Sequence, residues 1–114
     1  MAGTPGRLDV IATPIGNLGD LSPRARDALA AADAILAEDT RHTAALLSAI
    51  GVSRPMMSLH GHNEPERIAA IMARLRAGEK LALVSDAGTP LLSDPGFVLV
   101  RAAAAAGVRV GTIP

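Results

Sequence analysis

Five short aliphatic runs, Leu8 to Ala12, Ala34 to Ala37, Pro55 to Leu59, Leu81 to Val84 and Val108 to Ile113, alternate along the chain with four stretches that carry helix signals. This alternation restricts the fold more than any other feature. Each run has the length of a buried strand, and each of the first four is followed by a polar cluster and then a helical pattern. Repeated strand-helix units with short connections build a mainly parallel sheet. The predicted class is α/β, with a mainly parallel five-stranded sheet and helices on both faces.

The helix signals are specific. Ser22-Pro23 pairs an N-cap residue with proline at the first helical position, ahead of a helix over Arg24 to Ala32. Leu46, Leu47 and Ile50 fall on one face of a second helix that stops at Gly51. Asn63 with Glu66 resembles a capping box, and Ile68, Ile71, Met72 and Leu75 recur at helical spacing until Gly78. Asp94-Pro95 repeats the cap-then-proline pattern before a helix over Phe97 to Ala106, ending at Gly107.

Composition narrows the chemistry. The 114 residues suit one domain, and with 49% apolar residues and Phe97 as the sole aromatic the core must be aliphatic. Eleven basic and eleven acidic residues cancel, so no overall positive field draws the chain to nucleic acid unaided. The absence of cysteine excludes disulfides, thiolate metal sites and cysteine nucleophiles. The N-terminal stretch lacks a continuous apolar region, and no segment reaches membrane-spanning length, so a cytoplasmic protein without a membrane partner is expected.

Right-handed crossovers would bring residues 13–22, 38–43, 60–64 and 85–94 to the carboxyl edge of the sheet, where α/β proteins bind ligands. The loop Gly16-Asn17-Leu18-Gly19 lacks the dinucleotide-binding glycine spacing, no phosphate-binding P-loop occurs, and Thr13-Pro14 stands where a phosphorelay receiver needs acidic residues. His60, His62 and Glu64 alternate, and an extended backbone would turn them to one face as metal ligands. Gly61 and the following helix cap oppose sustained extension, and no metal is expected. In Glu38-Asp39-Thr40-Arg41-His42 the carboxylates suit a helix N-terminus. Arg41 does not, and either pairs with Asp39 or reaches an anionic ligand.

Ser85-Asp86-Ala87-Gly88-Thr89-Pro90 is longer than a tight strand-to-helix turn requires. Turn chemistry explains Asp94, Pro95 and Gly96, but leaves the six residues before Leu91 to a binding role, with Gly88 admitting close backbone approach and Asp86 or Thr89 bonding polar groups.

Four strings, Ala12 to Asp20, Ala37 to Thr43, His62-Asn63-Glu64, and Ser85 to Pro90 with Ser93 to Gly96, resemble in order the N-terminal domain of the 16S rRNA ribose methyltransferases of the tetrapyrrole methylase superfamily. The resemblance implies transfer of a methyl group from S-adenosylmethionine to a cytidine ribose 2′-hydroxyl in 16S rRNA, within the small ribosomal subunit. It also implies a homodimer of two-domain chains, with residues 1–114 as the N-terminal α/β domain and the C-terminal domain outside this sequence. Ser85, Asp86, Ala87, Gly88, Thr89 and Pro90 then form part of the cofactor wall, although the family carries Gly-Ile where this chain has Leu91-Leu92. A ribose hydroxyl must lose a proton, and Asp39, His60 and His62 are the candidate bases by type and edge position, with Asp86 a further one. Arg41, His42, Asn63 and Glu64 are candidate substrate contacts. Two alternatives stand beside this reading. A tetrapyrrole C-methyltransferase of the same superfamily would carry Gly-Gly-Asp-Pro after the fourth strand, and a non-catalytic dimerising domain would bind no cofactor by itself.

Overall fold

A computed structural model describes residues 6–13, 21–59, 64–85 and 94–113. Its elements are β1 (Arg7–Ala12), α1 (Pro23–Ala31), β2 (Ala34–Ala37), α2 (Thr40–Ala49), β3 (Met56–Ser58), α3 (Glu64–Arg76), β4 (Lys80–Ser85), α4 (Asp94–Ala105) and β5 (Arg109–Ile113). The five strands form one sheet in the order β3-β2-β4-β1-β5, and every pairing is parallel. The predicted class holds.

Two aliphatic layers cover the sheet. On one face Leu8, Val10, Leu36, Leu81 and Leu83 meet Ile71, Met72 and Leu75 of α3 and Leu99 and Ala103 of α4. On the other, Ile11, Ile35, Ala82 and Val84 meet Ala25 and Leu29 of α1 and Leu46 and Leu47 of α2. The alternation of side chains along each strand sends successive residues to opposite layers. Crossovers that run toward β3 carry α1 and α2, those that run toward β5 carry α3 and α4, and one hand of crossover requires that segregation.

Local signals fix the helix ends. The Ser22 hydroxyl accepts from Ala25 N at 3.1 Å, with Pro23 opening α1. Gly51, Gly78 and Gly107, at the ends of α2, α3 and α4, adopt φ of 74°, 95° and 79°. Helix α4 begins at Asp94 rather than near Phe97. Proline is tolerated in a first turn because its missing N–H would have no intrahelical partner there, so Asp94-Pro95 lies within the helix rather than before it.

The amino edge is tied by backbone and ion pairs. Gly6 N donates to Leu75 O at 2.8 Å and Arg7 N to Glu79 O at 3.2 Å. Asp33 accepts from Lys80 N through Oδ2 and donates to Lys80 O through its own N–H, each at 2.7 Å. Arg74 donates to both Glu79 carboxylate oxygens and sits 3.1 Å from Met57 Sδ. Hydrogen bonding to Glu79 raises the Arg74 pKa, outweighing its partial burial.

Candidate functional site at the carboxyl edge of β4

β4 occupies the middle of the sheet, between β2 and β1. The chain leaving β4 joins the layer of α4, while the chains leaving β1 and β2 join the opposite layer with α1 and α2. Adjacent strands whose outgoing chains part toward opposite faces leave a crevice between their carboxyl ends, and that is where open α/β sheets receive ligands. Ser85, the last residue of β4, lies at this point.

Polar burial marks the same edge. Among the described residues the buried polar side chains are Thr13, Thr43 and Ser85, exposed by 1%, 0% and 5%. Thr13 follows β1, Ser85 ends β4, and Thr43 lies in the opening turns of α2, beyond β2. Thr13 and Ser85 are joined. Both the N–H and the hydroxyl of Thr13 donate to Ser85 O at 2.9 Å, clipping the carboxyl ends of β1 and β4 together. Thr43 Oγ1 has no hydrogen-bond partner among the described residues, and a buried hydroxyl left unpaired costs about 1–3 kcal/mol.

The N-terminus of α2 is self-contained. Asp39 is its N-cap, and a single carboxylate oxygen accepts from Arg41 N at 3.0 Å and His42 N at 3.2 Å. The cap holds the carboxylate as an acceptor and uses two of the helix-end donors that would otherwise attract an anion. Arg41 meets Asp39 through its backbone N–H, and the side chains of Arg41 and His42 are exposed at the edge. Asp39, Arg41, His42 and Ser85 therefore share the carboxyl edge, three on its surface and one buried.

His60, His62, Asn63, Asp86, Ala87, Gly88, Thr89 and Pro90 lie outside the described residues, while Glu64 is placed as the first residue of α3. No group of three metal-ligating side chains occurs among the described residues. No described helix is long and apolar enough to cross a membrane. Two features escape a reading by residue type: the Thr13 clip and the buried Thr43. A signal for Thr43 was present, since Thr43, Leu46, Leu47 and Ile50 follow the i, i+3, i+4, i+7 spacing of one buried stripe, in which a hydroxyl is out of place.

The sequence model for Tetrapyrrole (Corrin/Porphyrin) Methylases matches residues 7–114. The chain belongs to that family. Among relatives of this methylase domain, "Ribosomal RNA small subunit methyltransferase I" of Xylella fastidiosa (strain Temecula1) is 62% identical over 111 residues, covering 97% of the chain and 41% of the relative. The protein of the same name from Haemophilus influenzae is 50% identical over 114 residues, 100% of the chain and 40% of the relative. The chain thus spans about two fifths of the length of these relatives. Native uroporphyrin III C-methyl transferase from Thermus thermophilus superposes with a TM-score of 0.71 at 19% identity, over 96% of the chain and 48% of that structure. At that identity the likeness shows the shared fold.

Proposed function

We propose that residues 1–114 form the N-terminal, cofactor-binding domain of an S-adenosylmethionine-dependent methyltransferase that modifies a cytidine ribose 2′-hydroxyl in 16S rRNA. The observation that carries the reading is identity of 50–62% to proteins named ribosomal RNA small subunit methyltransferase I across nearly the whole chain. The topology supports it, because the segment with the binding-loop sequence leaves β4 at the crevice. Among the described residues the buried polar side chains at this edge are neutral hydroxyls rather than charged groups.

S-adenosylmethionine supplies an electrophilic methyl on a sulfonium, so the C–S bond breaks as the ribose C–O bond forms and the hydroxyl proton departs. Placing the two reactants in line is the domain's main contribution. Ser85 to Pro90 form the cofactor wall, with the Thr13 clip fixing the point where that wall leaves the sheet. The proton acceptor is drawn from Asp39, His60 and His62. Arg41, His42, Asn63 and Glu64 contact the RNA, with exposed Arg41 offering the charge to pair with a phosphate. The second domain and a homodimeric partner complete the cleft and supply RNA affinity that a chain of zero net charge lacks. The full-length enzyme works in the cytoplasm.

The test is methyl transfer from labelled S-adenosylmethionine to small ribosomal subunits lacking the modification, using the full-length protein. Label at a cytidine 2′-oxygen is expected. Transfer to a tetrapyrrole and not to rRNA would replace this reading with the C-methyltransferase one.

A further inference from the structure

Helix α2 presents Thr43, Leu46 and Leu47 to the sheet as buried residues, with Ile50 half-buried on the same stripe. Leu46 and Leu47 pack into the layer that includes Ile35 and Val84, so this surface is aliphatic. Valine matches threonine in shape and closely in helix propensity, and would serve the fold at position 43 without a polar group. A helical threonine commonly bonds the carbonyl four residues back. Here Asp39 O receives Thr43 N at 3.2 Å, while Thr43 Oγ1 has no partner among the described residues.

Position separates this hydroxyl from a packing defect. The three buried polar side chains among the described residues all lie at the carboxyl edge. Thr13 spends its hydroxyl on Ser85 O, whereas Thr43 Oγ1 has no hydrogen-bond partner among the described residues and can both donate and accept. The backbone donors of Arg41 and His42 are already taken by Asp39, so the Thr43 side chain is an independent means for this helix to meet a ligand.

We infer that Thr43 is a cofactor-responsive residue, whose hydroxyl becomes hydrogen-bonded when S-adenosylmethionine occupies the crevice beside β4. The inference rests on the reading of this chain as a cofactor-binding domain. In the ligand-free protein the hydroxyl is a cost to the fold, and loading the site recovers it. Thr43 acts by positioning and affinity; it moves no proton in the reaction.

Full-length wild-type, Thr43→Val and Thr43→Ser proteins are compared by thermal unfolding and by calorimetric titration with S-adenosylmethionine. Thr43→Val should unfold without cofactor at a temperature equal to or above wild type, yet bind S-adenosylmethionine about 3- to 10-fold more weakly, the worth of one neutral hydrogen bond. Its cofactor-induced rise in unfolding temperature should shrink accordingly. Thr43→Ser, which keeps the hydroxyl, should bind more tightly than Thr43→Val. Unchanged affinity in Thr43→Val overturns the inference. So does a lower unfolding temperature without cofactor, which would assign the hydroxyl a structural partner. Absence of binding by wild type overturns the domain reading as well, which distinguishes the two failures.

Discussion

Replacing Gly6 by alanine should damage the fold at the amino edge while sparing the carboxyl-edge site. A Cβ at Gly6 would lie within 3.0 Å of three backbone atoms, Glu79 O, Glu79 C and Leu75 O, the last two at 2.9 Å. No flexible side chain is available to swing aside. The start of β1 would have to retreat from the α3–β4 turn by roughly 1 Å, a displacement of the kind that overpacking forces at a cost of about 1–3 kcal/mol. That retreat pulls on Gly6 N to Leu75 O at 2.8 Å and Arg7 N to Glu79 O at 3.2 Å. Each bond contributes about 0.5–1.5 kcal/mol, so the combined loss is about 2–6 kcal/mol. Urea titration of the 114-residue chain, followed by far-UV circular dichroism, reads the change as a lower midpoint at unchanged slope. A loss below about 1 kcal/mol would refute the reasoning, because backbone that yields so readily cannot be a close-packed junction.

Asp39→Ala removes the α2 cap and should cost about 0.5–2 kcal/mol by the same titration, with Asp39→Asn recovering most of it. Thr13→Val removes one of two donors to Ser85 O, and since Thr13 N still pairs with that carbonyl the loss should stay near 0.5–1.5 kcal/mol. Glu79→Gln breaks an ion pair whose side chains are each 31% exposed, so solvent screening should hold the cost below about 1 kcal/mol in a double-mutant cycle with Arg74. The raised Arg74 pKa contributes stability throughout the range below its ordinary value, lost only as pH climbs through the raised one, so a stability profile from pH 6 to 9 should show no step from Arg74.

The order of elements was legible because each level of the sequence agrees with the next. The apolar runs have strand length, Ser22-Pro23 opens α1, and Gly51, Gly78 and Gly107 close three helices with positive φ. Strand order was not legible. It places β4 between β2 and β1, and depends on which helices share a layer, a property of long-range packing rather than of any local string. For the site, the alternation of strands and helices puts Asp39, Arg41, His42 and Ser85 at one edge, but residue type could not tell a cap from a base. Asp39 shows why: its carboxylate satisfies Arg41 N and His42 N, a role common to many helices. Thr13 carries no local signal of its role, because its hydroxyl acts on a carbonyl 72 residues away.

Hydrogen exchange of the full-length protein with and without S-adenosylmethionine tests most directly whether this fold holds its ligand at the carboxyl end of β4. Protection on adding cofactor should concentrate on the carboxyl ends of β1 and β4 and on the opening turn of α2, with peptides spanning Gly6, Asp33 and Gly78 at the amino edge unchanged. Protection confined to the amino edge, or none at the end of β4 under saturating cofactor, would contradict it.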